Sequence, residues 1–252
     1  MARCPFARWM PLPWNAGRYV AGPFKIVHHT TEGSTAAGAF ATYRQTHDVP
    51  HFTVDDQFIY QHLDTEVAAT ALAHPPGTVE TNKHSAVQFE LVGFAGRPKN
   101  RASLKNVGRL CRWIESTHGV PPDWPNGYPK PPVNGKDPGH HNRDPHNWTT
   151  KGGHYGHCHV PVNVHWDPAY TADEVAYVMG ITASNGLELV EEKPILPAMS
   201  SRASTSNAKV GTGPARKAGA AKTRKAKKAK KAKMKKAKTK KAKAKKGSKK
   251  RA

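Results

Sequence analysis

The strongest constraint on the fold of this 252-residue chain is the distribution of its charge. Residues 209–252 contain 22 of the 40 Lys and Arg residues and no Asp or Glu. The residues before them hold 18 basic and 18 acidic side chains, so the formal net charge of +22 belongs to the tail. A segment of this composition cannot bury enough apolar surface to fold. We therefore predict a folded domain over residues 1–183, a flexible linker over 184–208 and a disordered Lys/Ala-rich tail over 209–252.

Histidines are concentrated in the part of the chain that is balanced in charge. All 15 fall between His28 and His165, and the segment GHCHVPVNVHWDP at 156–168 holds three histidines and one aspartate. Zinc binds imidazole nitrogen and carboxylate oxygen, and a catalytic zinc site uses three protein ligands. The pattern therefore indicates a metal site, but local spacing does not identify which histidines bind the metal.

Hydrophobic periodicity predicts interleaved strands and helices, which is typical of an α/β or α+β fold. Ser103 is predicted to cap the clearest helix, and Thr171 and Glu174 form a capping box at the start of the last one. The Pro- and Gly-rich residues 121–153 are predicted to form a long loop that flanks a site. The predicted elements are strands at 24–30 and 85–94, a hairpin at 51–63 that turns at 55–57, and helices at 34–47, 103–119 and 171–179.

Cysteine spacing and hydropathy bear on where the chain is made. Cys4, Cys111 and Cys158 are few and widely spaced, so we predict no disulfide. The first residues lack the apolar stretch of a signal peptide, and no run of about 18 apolar residues occurs. We expect synthesis in the cytoplasm without a signal peptide and no integral membrane association.

Four segments carry a resemblance to a known family. IVHHTTEG, HFTVD, ALAHPPGTVETNKHSAVQFELVGFAG and GHCHVPVNVHWDP occur in this order within residues 20–180. The chain resembles the type-2 family of zinc-dependent N-acetylmuramoyl-L-alanine amidases, which includes bacteriophage endolysins and peptidoglycan recognition proteins. The resemblance implies an α/β fold with a mixed central sheet flanked by helices. It also implies that zinc-activated water cleaves the amide bond between N-acetylmuramic acid and L-alanine.

The resemblance also implies one Zn²⁺ per chain, bound by His28, His157 and Asp167. Within the VHH segment the first histidine matches the family's ligand, and His29 is expected to point the other way along an extended strand. The Gly-His start of the closing segment favours His157. His159 remains an alternative, because ligand histidines of the family precede the final ligand by either eight or ten residues.

Further roles follow from the same resemblance. Glu90 matches the catalytic glutamate, although a solvated glutamate at a strand edge would also fit the sequence. His165 is expected to stabilise the developing oxyanion as a protonated imidazole. His51, His74 and Asn82 are predicted to contact the substrate, and a structural role explains each of them equally well.

The composition of the tail predicts its binding partners. Dense Lys and Arg bind polyanions by counterion release, so anionic cell-envelope polymers or nucleic acid are expected partners, and a merely solubilising tail is the alternative. We expect a monomeric endolysin that acts on peptidoglycan after its release and causes host lysis. A cellular recycling amidase and a non-catalytic peptidoglycan- or DNA-binding protein are the other interpretations.

Overall fold

The computed structural model describes residues 2–182. The predicted linker and tail therefore lie outside the described residues. The strands are β1 Arg8–Trp9, β2 Gly17–Arg18, β3 Lys25–Thr30, β4 Phe52–Val54, β5 Ile59–Gln61, β6 Val67–Ala68, β7 Ala86–Leu91 and β8 Gly153–Gly156. The helices are α1 Ala36–Thr46, α2 Arg101–His118, α3 Pro145–Thr150 and α4 Ala172–Gly180, with a 3₁₀ turn at His157–His159.

Six strands form a mixed sheet in the order β1-β5-β4-β7-β3-β8. Only β4 and β5 pair antiparallel within it, as the predicted hairpin requires, and its other pairs are parallel. Strands β2 and β6 form a separate antiparallel pair. Helices pack on both faces of the large sheet, which confirms the predicted α/β class with a mixed central sheet.

The two sheet faces bury different clusters. Successive side chains of a strand point to opposite faces, so Val87, Phe89 and Leu91 pack with helices α2 and α4. The opposite face carries Val27 and Tyr155 in a second cluster. Strand β3 lies between β7 and β8 and is buried on both faces, so every residue placed on it is held rigidly.

Helix α2 confirms the prediction from apolar spacing but begins earlier than expected. Leu104, Val107 and Ile114 are buried on its inner face. The side chain of Asn100, and not Ser103, caps it by accepting bonds from the amides of residues 102 and 103. Ser103 is itself buried inside the helix, because the chain already turns helical at Arg101.

The last helix and the long loop give one confirmation and one correction. The Thr171–Glu174 capping box is present at the start of α4. The predicted loop at 121–153 contains the short helix α3, because Asp144 caps it and Pro145 suits its first turn.

The three cysteines are free and buried. Within residues 2–182, no helix has the length and apolar character needed to span a membrane.

Candidate active site

Strand β3 sends its two adjacent histidines to opposite faces of the sheet. In the parallel β3–β7 pair, His28 lies opposite Phe89 and His29 opposite Glu90. Phe89 belongs to the core under α2, so His28 shares that face. His29 and Glu90 therefore share the other face, where the Nδ1 atom of His29 lies 3.9 Å from Glu90 Oε1.

His29 belongs to a buried group of three side chains, completed by His157 and Asp167. Their candidate ligand atoms all lie within 4.8 Å of one another. The Nδ1 atoms of the two histidines are 3.0 Å apart, and His157 Nδ1 lies 3.3 Å from Asp167 Oδ1. The group thus joins the end of β3 to the segment that follows β8.

Neighbouring groups fix the orientation of these side chains. Asn163 Oδ1 lies 3.0 Å from His157 Nε2, and as an acceptor it holds the proton there and leaves Nδ1 free to bind a metal. The backbone amide of Thr30 donates to Asp167 Oδ2 at 2.9 Å. Each bond turns the remaining lone pairs toward the centre of the group.

The charge states of the group follow from burial and proximity. Burial, with His157 beside it, lowers the pKa of His29 well below its ordinary value, so its imidazole is neutral. Burial alone would raise the pKa of Asp167, but His157 and the Thr30 amide lower it overall, so this carboxylate is an anion. Two imidazoles and one carboxylate form a donor set that catalytic zinc takes in proteins. The residues present therefore fit a zinc ion.

A cavity of about 600 Å³ opens beside this group. Its lining includes Glu90, His157, His165 and Asp167, together with threonines of β3 and α1. Glu90 is 14% exposed, and its Oε2 atom has no hydrogen-bond partner. Burial and the nearby carboxylates of Asp167 and Glu32 raise the pKa of Glu90 well above its ordinary value. A carboxylate with a raised pKa is suited to accept a proton near neutral pH.

His165 lies at the outer side of the group. Its ring stacks on that of His157, with centroids 4.6 Å apart, and its side chain is 62% exposed. Its Nδ1 atom lies 3.9 Å from Asp167 Oδ1. Burial and His157 lower the pKa of His165, which favours a neutral ring over the protonated imidazole expected from the sequence.

A family model described as N-acetylmuramoyl-L-alanine amidase matches residues 22–170. The chain belongs to this family. The match covers every strand from β3 to β8 and all the residues of the site. The predicted family is thereby confirmed.

Several solved structures resemble the chain at low sequence identity. The hydrolase AmiA of Staphylococcus aureus is 15% identical over 73% of this chain and 84% of its own, with a TM-score of 0.48. The endolysin amidase LysCS of Clostridium intestinale URNW is 15% identical over 47% of this chain and 78% of its own, with a TM-score of 0.36. AmpD is 14% identical over 70% of this chain and 96% of its own, with a TM-score of 0.45. A comparison with curated protein sequences gave no significant match.

The structure corrects the predicted position of His28 in this amidase. His28 does not lie with His157 and Asp167, because its Nε2 atom is 2.9 Å from His154 Nδ1 on the face under α2. The two histidines of the pair point in opposite directions, as predicted. It is His29 that lies with His157 and Asp167. The expected set of His28, His157 and Asp167 becomes His29, His157 and Asp167 in space.

The alternative His159 lies outside this group. It is buried, and its Nδ1 atom accepts a hydrogen bond from the Gly156 amide at 3.1 Å. His157 and His159 stand two residues apart in a 3₁₀ turn, so their side chains leave the turn in different directions. The structure thus places His157, the favoured choice, beside Asp167.

The three residues predicted to contact substrate do not line the cavity. His51 is fully buried, bonds to the amide of Gln88 and the carbonyl of Val67, and has its pKa lowered to about 4 by burial. His74 lies 3.2 Å from the Glu80 carboxylate. Asn82 exchanges two hydrogen bonds with the backbone of Leu72. These contacts match the structural alternative for each residue, and their contact with substrate stays a prediction.

Sequence reasoning missed two residues of the site, His29 and Asn163. A signal for Asn163 was present, since it is the asparagine of the VPxN string that favoured His157. An asparagine six residues after a proposed ligand histidine can accept a hydrogen bond from the ring N–H that the histidine retains. For His29 the sequence held no such signal, because its position depends on how β3 and β7 pair.

We expect Asn163→Leu to weaken zinc binding by about 10- to 100-fold, since the loss of such an acceptor leaves the His157 ring without orientation. Asn163→Asp keeps an oxygen at the same place and should bind zinc at least as tightly as the natural protein. Both variants lose the Nδ2 group that donates to the carbonyls of Ala73 and Pro161, so this loss is matched. Asp also keeps an acceptor for the Ala73 amide, which Leu lacks. Competition with a zinc chelator measures the affinities, and equal weakening in both variants would contradict the orienting role.

Proposed function

We propose that this amidase is a zinc-dependent peptidoglycan hydrolase that cleaves the bond between the lactyl group of N-acetylmuramic acid and L-alanine. The proposal is carried by one observation, the convergence of His29, His157 and Asp167 beside Glu90 at a cavity. The His29, His157 and Asp167 side chains would hold the zinc. When bound, zinc would supply an activated water and polarise the scissile carbonyl.

Two side chains of the protein would transfer the proton and stabilise the developing negative charge. Glu90 would accept the proton of the attacking water at its unpartnered Oε2 and pass it to the nitrogen of the leaving L-alanine. His165 would donate an N–H to the oxygen on which negative charge develops. Its exposure and its stacking on His157 let it meet a substrate without moving the buried ligands.

Cavity shape and lining support a glycopeptide substrate. A volume of about 600 Å³ is in the range of small-molecule sites, and the cavity extends from the cluster along α1. Thr31, Thr42, Thr46 and Thr70 supply hydroxyls along this path, with the carboxylate of Asp48 among them. Hydroxyls that can both donate and accept suit the amide groups of a peptide stem.

Mass spectrometry of digested peptidoglycan tests the proposal together with metal analysis. The expected products are glycan strands with intact lactyl groups and peptides with a free L-alanine amino terminus, and a chelator should stop their release. New reducing ends on the glycan, or cleavage within the stem peptide, would assign a different reaction.

We propose further that the enzyme is a bacteriophage endolysin that lyses the host from within. Support comes from the composition of the sequence, because its basic tail suits anionic envelope polymers. Nucleic acid is the other polyanion that the tail would bind. The enzyme would act as a monomer on the cell wall after release from the cytoplasm of the producing cell.

Truncation after Ser206 separates the tail from the chemistry. Residues 209–252 carry the whole net charge and none of the site residues, so hydrolysis of a small soluble muropeptide should be unchanged. Binding to intact walls or to DNA should weaken, and its dependence on salt should flatten, because fewer counterions are released. A truncated protein that loses activity on the small substrate would contradict this division of the chain.

A further inference from the structure

A second cluster of metal-binding side chains lies on the opposite face of the sheet from the candidate active site. His28 on β3, His154 on β8 and Cys111 on α2 bring one ligand atom each within 4.8 Å of the others. His28 Nε2 is 2.9 Å from His154 Nδ1 and 4.0 Å from Cys111 Sγ. All three residues have no exposed surface, and none lines the cavity beside Glu90.

Apolar packing does not explain this cluster. The three side chains sit in the core that α2 and α4 form on the sheet, where Ile, Val, Leu and Phe otherwise prevail. Buried polar groups destabilise a fold unless they find partners. The buried atoms around the cluster that have none include Nδ1 of His28 and Nε1 of Trp124, whose ring centroid lies 4.9 Å from that of His28. They also include the hydroxyl of Tyr170, whose ring meets that of His28 edge-on with centroids 5.8 Å apart.

The orientation of His154 points to a ligand role. Its Nε2 atom lies 2.8 Å from Glu115 Oε1, and Arg112 bonds to the same carboxylate. A carboxylate can only accept, so the proton of the neutral His154 ring is on Nε2 and its Nδ1 lone pair faces His28 and Cys111. A carboxylate that holds the far nitrogen of a histidine is the usual support of a metal-bound imidazole.

The two clusters are built alike. In each, one histidine comes from β3 and the other from β8 or the turn that follows it, and the second histidine presents Nδ1 while a side-chain oxygen accepts from Nε2. The difference lies in the third donor, which is the Asp167 carboxylate beside the cavity and the Cys111 thiol in the core. Donor softness therefore distinguishes the two sites.

We propose that His28, Cys111 and His154 form a second, structural metal site for a thiophilic divalent ion such as zinc. On binding, the Cys111 thiol releases its proton to solvent as the sulfur–metal bond forms, and both histidines bind as neutral rings. The unpartnered hydroxyl of Tyr170 is a further oxygen donor in the same core. Because the ligands come from β3, β8 and α2, the ion would stabilise the sheet against the helix without touching substrate.

Cobalt substitution of the full-length protein tests the proposal. Cobalt(II) bound to a thiolate shows an intense sulfur-to-metal charge-transfer band, and the proposed catalytic site contains no sulfur ligand. We expect two metal ions per chain and this band in the natural protein. Cys111→Ser should lose the band and one ion. Cys4→Ser, which changes another buried cysteine of the same core, should keep both.

The metal content and spectrum of the natural protein test the proposal even if Cys111→Ser folds poorly. A single ion per chain without a charge-transfer band would overturn the proposal and leave a hydrogen-bonded histidine pair in the core. Loss of the band in Cys158→Ser instead would also overturn it. His157→Ala should lose one ion but keep the band, so the catalytic zinc and the structural site can fail independently.

Discussion

His29→Ala should remove the catalytic zinc and reduce amidase turnover by orders of magnitude. The substitution deletes one of three donors in a group whose other members, His157 and Asp167, cannot hold a catalytic metal alone. It should leave the fold intact, because the core under α2 contains the other histidine of the pair. Metal analysis and hydrolysis of a soluble muropeptide measure the two effects.

His159→Gln is the matched control for this experiment. It changes a buried histidine two residues from a proposed ligand, and we expect zinc content and turnover to stay near those of the natural protein. Two results together would support His28 as the ligand, as predicted from the sequence. His29→Ala would keep natural activity, and His28→Ala would be folded but inactive and lack the catalytic zinc.

Local patterns predicted most of the secondary structure. The apolar spacing of Leu104, Val107 and Ile114 predicted α2, and the capping box predicted the start of α4, because both signals lie within a few residues along the chain. The start of α2 was misplaced because Asn100 and Ser103 are both good caps. Which of them acts depends on where the preceding loop leaves the sheet.

The choice between His28 and His29 could not be made from local sequence. A strand with one solvated face alternates apolar and polar residues, but β3 is buried on both faces and reads as Ile, Val, His, His. Either register therefore places one apolar residue and one histidine on each side. The pairing of β3 with β7 determines which histidine lies on the cavity side, since His29 lies opposite Glu90 and His28 opposite Phe89.

The segment after β8 contains three of the predicted site residues. His157, His165 and Asp167 come together at the cavity because their spacing within one short segment limits how far apart they can lie. His51, His74 and Asn82 illustrate the limit of the same reasoning. Histidine and asparagine also serve as buried hydrogen-bonding residues, and only the structure shows that these three bond to backbone or to Glu80.

Glu90→Gln should leave zinc bound and lower turnover by about 100- to 10,000-fold, the usual contribution of a general acid–base group. Glutamine fills the same space next to His29 but cannot accept a proton from water. Glu66→Gln, which makes the same change at an exposed position that does not line the cavity, should keep natural turnover.

The metal content of the Glu90→Gln variant shows whether its loss of activity comes from lost proton transfer or from lost zinc. Loss of turnover with zinc retained assigns Glu90 to proton transfer, whereas loss of both would make it a support for His29. Turnover close to that of the natural protein would remove Glu90 from the chemistry altogether. The titratable groups that line the cavity and are not proposed zinc ligands would then be His165, the phenol of Tyr43 and the carboxylates of Glu32 and Asp48.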